Sequence, residues 1–283
     1  MRKYFPFFFL FLLSFVSAQT PQAIFEDFYL QSKLMGRQMP YRIIYPKNYK
    51  ESKEKRFPTI YLLHGLSGNY KNWSEKTALL KYATEYDFLF VLVEGENGWY
   101  SDSPSKPNSF YESYVIEELI PEIDRNFRTI ADRNHRIIAG LSMGGYGAIK
   151  FGLKYPEKFA LVGSFSGALS ATSIDERQTL EWISKSLREA FGEQNSQARK
   201  ANDIFLLIQQ MHEKQLSSLP FIYFDCGTED FLFKSNQDFM KLLTEKKVKH
   251  EYRQLPGNHT WDYWNAQIQE FLRLVKRFLE KVN

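Results

Sequence analysis

Residues 136–148 read Arg-Ile-Ile-Ala-Gly-Leu-Ser-Met-Gly-Gly-Tyr-Gly-Ala, an apolar run that leads into a glycine-rich stretch around Ser142. Arg136–Ala139 is apolar without alternation, which is typical of a strand covered on both faces. Met143–Tyr155 then has the pattern of a helix. A serine between a buried strand and a helix, with a glycine two residues away on either side, predicts a sharp turn that exposes its hydroxyl.

The turn gives Ser142 the setting of a nucleophile. Gly140 and Gly144 lack side chains, so the strand and the helix can approach each other closely. The hydroxyl is then placed at the helix N-terminus, where free N–H groups and the helix dipole favour developing negative charge. The alternative is a chance Gly-Ser-Gly turn, because the five-residue pattern is weak without its strand and helix.

Strands and helices alternate along most of the remaining chain. Further strand patterns occupy Phe57–Leu63, Phe88–Val93, Phe159–Phe165 and Leu219–Phe224, with an extended stretch at 250–255 and an antiparallel pair at Phe28–Leu34 and Tyr41–Tyr45. Further helical patterns occupy Tyr114–Phe127, Phe233–Lys246 and Trp261–Val282. This alternation predicts an α/β fold with a mostly parallel central sheet flanked by helices on both faces.

One segment departs from the alternation. Residues 168–218 have the pattern of two or three short helices, and Leu180, Ile183 and Leu187 share one helical stripe. This predicts a small helical cap insertion between two strands. No internal repeat or Pro/Gly-rich linker interrupts the chain, so residues 19–283 are predicted to form one domain.

A different kind of segment precedes this domain. Two basic residues, Arg2 and Lys3, are followed by the apolar run Tyr4–Val16 and then by small residues up to Ala18. This order predicts a secretory signal peptide over residues 1–18, cleaved after Ala18, and therefore a secreted or periplasmic protein. An uncleaved membrane anchor is the alternative, although the run is short for a bilayer span, and no stable membrane insertion is expected after cleavage.

Composition argues against several function classes. The formal net charge is +4, and it falls to about +2 without the two basic residues of the signal segment, which gives no reason to expect a nucleic-acid partner. Cys226 is the only cysteine, so an intramolecular disulfide is impossible and a buried apolar role is expected. The sequence contains no HExxH, no CxxC and no histidine pair at helical spacing, so neither a metal nor a cofactor is expected.

A serine nucleophile needs a base and an acid. His259 follows the extended stretch 250–255, in a loop at the carboxyl end of a predicted strand, and is the preferred general base. Asp230 is the preferred acid, because it lies between a strand and a helix and gives the chain order serine, acid, histidine. Glu229 is the alternative acid, and Asp225 is read as a structural carboxylate.

The reaction also needs donors for an oxyanion. The N–H of Met143, directly after the nucleophile, is one candidate. Leu66 is the other, in the loop after Phe57–Leu63, where Gly65 permits the backbone to turn. His64 either braces this loop through hydrogen bonds or is simply packed. Ser67 lies in a glycine-flanked stretch without the strand and helix setting of a nucleophile.

Four aromatic residues are candidates for substrate contact. Trp99 and Tyr100 follow a predicted strand, and Trp261 and Trp264 follow His259. These rings would either line a pocket for an acyl chain, a phenolic acid or a sugar ring, or pack in the core or in a lid.

Five motifs together resemble the esterase D-like family of α/β-hydrolases, which includes tributyrin esterases, S-formylglutathione hydrolases, and acetylxylan and feruloyl esterases. The resemblance covers about residues 24–280 and rests on His64-Gly65-Leu66-Ser67-Gly68-Asn69, Trp99-Tyr100-Ser101-Asp102, Gly140-Leu141-Ser142-Met143-Gly144-Gly145-Tyr146-Gly147-Ala148, Cys226-Gly227-Thr228-Glu229-Asp230-Phe231-Leu232 and His259-Thr260-Trp261. It implies an α/β-hydrolase fold, a triad of Ser142, Asp230 and His259, and oxyanion donors at Leu66 and Met143.

These readings together predict a secreted serine carboxylesterase that hydrolyses short-chain, acetyl-type esters through an acyl-serine intermediate. One alternative is a feruloyl or acetylxylan esterase that acts on plant polysaccharide, so the expected substrate is a small-molecule or polysaccharide-linked ester. A second alternative is a non-catalytic binding protein on the same fold.

Overall fold

One eight-stranded sheet organises the chain, in the order β1-β2-β4-β3-β5-β6-β7-β8. The computed structural model describes residues 1, 23–51 and 53–281, and the predicted signal peptide lies outside this part except for Met1. The strands are β1 (Phe25–Ser32), β2 (Arg37–Ile44), β3 (Thr59–Leu63), β4 (Leu89–Val93), β5 (Arg136–Leu141), β6 (Leu161–Phe165), β7 (Phe221–Gly227) and β8 (His250–Leu255).

The sheet is mostly parallel, as predicted. Strands β3 to β8 run parallel to one another, so their carboxyl ends meet at one edge. Strand β2 pairs antiparallel with both β1 and β4. The β1–β2 turn lies earlier than predicted, because Gly36 adopts φ +63° and supplies the reversal before Arg37.

The helices occupy both faces of the sheet. They are α1 (Asn72–Glu75), α2 (Leu79–Tyr82), α3 (Tyr111–Ser113), α4 (Ile120–Asn126), α5 (Met143–Lys154), α6 (Glu181–Phe191), α7 (Gln197–Ala201), α8 (Ile204–Gln210), α9 (Glu213–Ser218), α10 (Phe233–Glu245) and α11 (Trp261–Leu279). No helix within the described ranges is both long enough and apolar enough to cross a bilayer.

Alternate residues of the central strands point into two separate cores. In β3, Tyr61 and Leu63 face the core formed with α4, α5, α6, α8 and α10. Ile60 and Leu62 face the core formed with α2 and α11. All four side chains are fully buried, which explains why these strands are apolar without alternation in the sequence.

The helical pattern predicted at Tyr114–Phe127 begins earlier and is not regular. Helix α3 leads into a π-helical turn at Tyr114–Leu119, and α4 follows. Pro121 lies at the start of α4, where its missing N–H removes one hydrogen bond of a continuous α-helix. A widened π turn just before the proline accommodates this loss.

Residues 168–218 connect β6 to β7 and contain four α-helices rather than two or three. Three of these helices begin at a polar residue whose side chain accepts a backbone N–H, which is why the chain starts a new helix at short intervals. These capping residues are Ser196, Asp203 and His212. Leu187 and Phe191 of α6 are fully buried in the same core as α5.

Candidate active site

Ser142 occupies the turn between β5 and α5 with φ 53° and ψ −116°, a conformation that residues with side chains rarely adopt. Its N–H donates to the carbonyl of Phe165 over 2.9 Å. Its own carbonyl accepts from Tyr146 N–H and from Ala168 N–H, over 3.1 and 3.0 Å. Backbone bonds to two neighbouring segments therefore hold the strained residue in place.

The glycines of this turn are required by close backbone contacts. A Cβ atom on Gly140 would lie 2.4 Å from the carbonyl oxygen of Gly144. A Cβ atom on Gly144 would lie 2.5 Å from the carbonyl oxygen of Leu63, at the end of β3. Because these are backbone atoms in a packed sheet, a larger residue at either position would displace the turn that presents Ser142.

His259 lies between Ser142 and Asp230. Its Nε2 is 3.0 Å from Ser142 Oγ, and its Nδ1 is 2.9 Å from Asp230 Oδ2. A carboxylate only accepts hydrogen bonds, so Nδ1 carries the hydrogen. In the neutral ring Nε2 then accepts from the serine hydroxyl, which is the arrangement that a general base needs.

The carboxyl group of Asp230 is buried and fixed. Burial raises its pKa, but the hydrogen bonds from His259 and from Leu232 N–H lower it more, and the net pKa lies below the ordinary aspartate value. The Leu232 N–H donates to Asp230 Oδ1 over 2.9 Å. Asp230 is thus held as a carboxylate that orients the His259 ring.

Glu229, the alternative acid of the sequence analysis, faces another partner. Its backbone N–H donates to Gly257 O over 3.1 Å, and its carboxylate accepts the Gly257 N–H. These reciprocal bonds join the acid loop to the loop that carries His259. The structure therefore brings Asp230, and not Glu229, to the histidine ring.

The two predicted oxyanion donors lie at the loop after β3 and at the first residue of α5. Among residues 23–51 and 53–281, neither Leu66 N–H nor Met143 N–H donates to a backbone carbonyl. Leu66 lines the cavity above Ser142, and Met143 follows the nucleophile at the open end of the helix. Both N–H groups are thus free of the backbone pairing that would take them away from an oxyanion.

The cavity at Ser142 is small, about 160 Å³. Its lining residues come from the segment between β3 and α2, the end of β5 with the turn after it, and the segment from His259 into α11: Gly65, Leu66, Ser67, Gly68, Asn72, Lys76, Leu141, Ser142, His259, Trp261 and Trp264. Trp261 and Trp264 meet edge to face with ring centroids 5.1 Å apart. Trp261 is thus placed at the cavity, as predicted, and Trp264 lines it too.

Trp99 and Tyr100 are not at this cavity, which corrects their predicted role in substrate contact. Their φ angles of 54° and 50° belong to a left-handed turn, and both side chains are buried in the core. Trp99 Nε1 donates to Ser186 Oγ over 3.1 Å, and Tyr100 OH donates to His64 O over 3.1 Å. They anchor the loop after β4 to its neighbours.

Two residues that the sequence analysis did not single out stand close to the site. Lys76 lines the cavity with its ammonium 5.3 Å from the ring centroid of Trp261. Phe231 is 77% exposed, and its ring centroid is 4.7 Å from that of His259. The position of Phe231, directly after the acid, was a signal that could have identified it, whereas nothing in the sequence around Lys76 did so.

A larger cavity, of about 610 Å³, lies at the amino ends of the parallel strands. Pro58, Phe88 and His135 line it, and each lies just before a parallel strand. Ligands of open α/β sheets bind at the carboxyl ends of the strands. The smaller cavity at Ser142 therefore remains the site of chemistry in spite of its size.

Asp225 is a second buried carboxyl group, at the carboxyl end of β7. Burial raises its pKa to about 7, although the hydroxyls of Tyr223 and Tyr263 lower it. Tyr223 OH donates to Asp225 Oδ2 over 2.8 Å. This carboxyl group does not contact His259, which agrees with its reading as a structural carboxylate.

We expect Asp225→Asn to make folding stability less dependent on pH. In the unfolded chain this carboxyl ionises near pH 4, so between about pH 4 and pH 7 the folded state binds the extra proton and stability falls as pH rises. The variant should be more stable than the wild type at about pH 8, by about 1–3 kcal/mol, and show little difference near pH 5. Urea unfolding at both pH values measures this, with exposed Asp262→Asn as the control. An unchanged pH dependence in Asp225→Asn would contradict it.

Comparison with known proteins places this geometry in a family. The model of the family described as "Putative esterase" matches residues 32–274. The chain belongs to this esterase family. Acetyl esterase of Caldicellulosiruptor saccharolyticus is 34% identical over 227 residues, which cover 78% of this chain and 84% of the relative.

Two further likenesses agree with this placement. S-formylglutathione hydrolase of Mus musculus is 26% identical over 255 residues, covering 81% of this esterase and 86% of the relative. A solved ferulic acid esterase structure superposes with a TM-score of 0.78 at 26% identity and covers 91% of this chain and 99% of its own. The α/β-hydrolase fold is confirmed, and the protein is a serine esterase, that is, a carboxylic ester hydrolase.

Proposed function

We propose that Ser142, His259 and Asp230 are the catalytic triad of an esterase that hydrolyses short-chain, acetyl-type esters. The observation that carries this proposal is the pair of hydrogen bonds made by one ring, 3.0 Å to Ser142 and 2.9 Å to Asp230. The free N–H groups of Leu66, which lines the cavity with Ser142, and of Met143, the residue after Ser142, support it as donors for a developing oxyanion.

The reaction proceeds in two halves. His259 Nε2 takes the Ser142 proton while Oγ attacks the ester carbonyl carbon. The carbonyl oxygen becomes an oxyanion that accepts from Leu66 N–H and Met143 N–H, and the intermediate collapses as His259 returns the proton to the leaving alcohol. Water then attacks the acyl-serine with His259 again as base, which releases the acid and restores the hydroxyl.

The size of the cavity supports a small acyl group. Pockets for drug-sized ligands are about 300–1,000 Å³, whereas the space at Ser142 is about 160 Å³. Trp261 and Trp264 close one wall with rigid rings. An acetyl group fits such a space with little rearrangement, and the likeness to an acetyl esterase agrees with this choice.

A series of p-nitrophenyl esters from acetate to octanoate, together with methyl ferulate, tests the acyl preference. We expect the highest kcat/KM at acetate or propionate and a fall of about tenfold or more at the long chains, since each added methylene must displace packed rings. A maximum at octanoate or at the ferulate would reject the acetyl-type assignment. No turnover of any ester would reject the triad.

A specific observation favours a second candidate, an esterase that removes acyl groups from a polysaccharide. A cavity of about 310 Å³ lies beside the loop after β4 and the start of α6, where Trp182 is 49% exposed. Asn97 lines this cavity, and its Oδ1 accepts the N–H of Ser67, which lines the cavity at Ser142. An exposed indole among polar side chains next to the catalytic cavity suits a sugar ring, which has both apolar faces and hydroxyls.

Trp182→Ala is expected to separate the two candidates. If Trp182 stacks on a sugar, the variant should lose about 5–30-fold in kcat/KM on acetylated xylan, the cost of an exposed stacking contact, and less than about twofold on p-nitrophenyl acetate. Leu180→Ala is the matched control, because Leu180 is exposed nearby but does not line the cavity. An equal loss of kcat/KM on both substrates, or no loss on either, would reject the polysaccharide candidate and retain the small-ester one.

We also propose that the enzyme acts outside the cytoplasm. The basic start, the apolar run and the small residues up to Ala18 support export. Expression of the full chain, followed by N-terminal sequencing of the protein recovered from the medium and from the periplasm, tests this. The expected first residue is Gln19, and an intact Met1 in the cell fraction alone would contradict export.

A further inference from the structure

We propose that His64 is a positioning residue that fixes the Gly65–Leu66 peptide, so that Leu66 N–H points toward Ser142. The proposal rests on the proposed function, since it gives Leu66 N–H the oxyanion to bind. It adds a residue whose side chain does not touch the substrate but determines whether the oxyanion site exists.

The carbonyl oxygen of Gly65 accepts two hydrogen bonds. His64 Nδ1 lies 2.8 Å from Gly65 O, and Gly68 N–H donates to the same oxygen over 3.0 Å. Gly95 N–H donates to His64 Nε2 over 3.0 Å, so Nε2 accepts, and Nδ1 carries the hydrogen that is donated to Gly65 O. Two donors, from the His64 ring and from the Gly68 backbone, therefore hold this oxygen in one direction.

Peptide geometry links this oxygen to the N–H of Leu66. In a planar trans peptide the carbonyl of one residue and the N–H of the next point in opposite directions. Fixing Gly65 O beside His64 therefore fixes the direction of Leu66 N–H as well, in a loop that lines the cavity together with Ser142. The orientation of the donor is set through the oxygen at the other end of the same peptide.

The glycine at position 65 makes such a restraint necessary. A Cβ atom on residue 65 would lie 2.7 Å from Leu141 Cδ1 and 3.4 Å from Ser142 Cβ, so a side chain here would push the buried Leu141 side chain aside next to the nucleophile. The glycine that solves this crowding also allows the peptide to rotate easily. A rotated peptide would present a carbonyl oxygen, not an N–H, to the developing oxyanion.

The His64 ring is itself held rigidly. The side chain is fully buried, and its Nε2 lies 3.0 Å from Glu94 Oε1. The backbone carbonyl of His64 accepts from Tyr100 OH over 3.1 Å. Glu94 also accepts the backbone N–H groups of Tyr70, Gly95 and Glu96. Burial raises the pKa of Glu94, but the hydrogen bonds that its carboxylate accepts lower it more, so the carboxylate stays ionised.

Two substitutions of His64 separate this role from simple packing. Asparagine carries its amide nitrogen at the distance from Cγ that Nδ1 has, so His64→Asn retains a donor for Gly65 O. Glutamine extends its amide toward Glu94, near the place of Nε2, so His64→Gln loses that donor and keeps the contact with Glu94. Both variants remove the same ring, and a purely structural role predicts similar effects for the two.

We expect His64→Gln to lose about 10²–10³-fold in kcat on p-nitrophenyl acetate, as for a missing oxyanion donor, with KM within about threefold. His64→Asn should stay within about tenfold of the wild type. Inhibition by a methyl trifluoromethyl ketone, which forms a tetrahedral oxyanion on the serine, should weaken in His64→Gln in proportion to kcat/KM. Equal losses in both variants, or a loss confined to KM, would overturn the proposal.

A measurement on the unaltered enzyme keeps the proposal testable if either variant fails to fold. Nitrogen-15 NMR of histidine-labelled protein should show a protonated Nδ1 for His64 across the pH range of activity, and a bare Nδ1 would overturn the proposal. A wild-type enzyme that neither hydrolyses esters nor binds the ketone would instead reject the proposed function. The two failures are therefore distinguishable.

Discussion

Ser142→Ala is expected to lower kcat for acetyl-ester hydrolysis by about 10⁴–10⁶-fold, the range found when a serine hydrolase loses its nucleophile. The Ser142 hydroxyl is the only serine oxygen within hydrogen-bond reach of His259 in the described part of the chain. The residual rate would come from Leu66 and Met143 N–H, which still stabilise the attack of water on a bound ester. Release of p-nitrophenol from p-nitrophenyl acetate measures the loss, and a fluorophosphonate probe should no longer label the variant.

Ser67→Ala is the matched control for this prediction. Ser67 also lines the cavity and lies in a glycine-flanked loop, but its backbone N–H is engaged by Asn97 and no histidine contacts its hydroxyl among the described residues. We expect its activity to stay within about threefold of the wild type and probe labelling to persist. If labelling survived in Ser142→Ala and disappeared in Ser67→Ala, the nucleophile would be Ser67, and its assignment to Ser142 would be wrong.

A double variant sharpens the test of the triad as a unit. Residues that act in one proton-transfer system have strongly non-additive effects. Removing His259 from the Ser142→Ala background should therefore cost little more than the single substitution. Independent losses that multiply would mean that His259 contributes by another route, such as packing of the His259 loop.

The nucleophile turn was predictable because short-range interactions decide it. The chain around Ser142 needs glycine on both sides, and the apolar run before it needs cover on both faces. Structure and sequence agree here: β5 and α5 begin at the predicted residues, and α5 ends one residue before Tyr155, the predicted end. Backbone contacts at Gly140 and Gly144 explain why the pattern is so specific.

The loop after β4 was not predictable in the same way. Trp99 and Tyr100 look like cavity residues because aromatic side chains follow a strand at the active edge. Their left-handed backbone turns both rings inward, and the partners that receive them are Ser186, 87 positions away, and the carbonyl of His64. Periodicity and local composition contain no information on such distant partners.

Glu94 shows the opposite case, a site residue that position alone could have identified. It follows β4 directly, at the carboxyl edge of the sheet where the chemistry of this fold is located. Its carboxylate restrains His64 and three backbone N–H groups, so it acts on the oxyanion loop without facing the cavity. A search of the strand ends for residues that can reach a substrate overlooks Glu94, because its carboxylate acts only through the loop that it holds.

The two adjacent carboxylates, Glu229 and Asp230, give the second large prediction. Asp230→Asn is expected to lower kcat by about 10⁴-fold, because an asparagine amide that donates to Nδ1 leaves the hydrogen on Nε2. In that tautomer the His259 nitrogen that faces Ser142 donates and no longer accepts the serine proton. The effect belongs to kcat, since Asp230 is buried behind the ring and does not line the cavity.

Glu229→Gln is the control that makes this prediction specific, because both residues belong to one loop and both contact the segment that carries His259. A glutamine oxygen can still accept the Gly257 N–H, and the reciprocal backbone bond from residue 229 to Gly257 O remains. We therefore expect less than about tenfold loss in kcat, since one neutral hydrogen bond replaces a charge-assisted one.

If Glu229→Gln were the more damaging change, the acid would be Glu229 in the working enzyme, and the His259 loop would have to shift when substrate binds. If both changes were mild, the orientation of His259 would depend on its packing against Trp264 and Phe231, whose rings lie 4.9 and 4.7 Å from it, more than on either carboxylate.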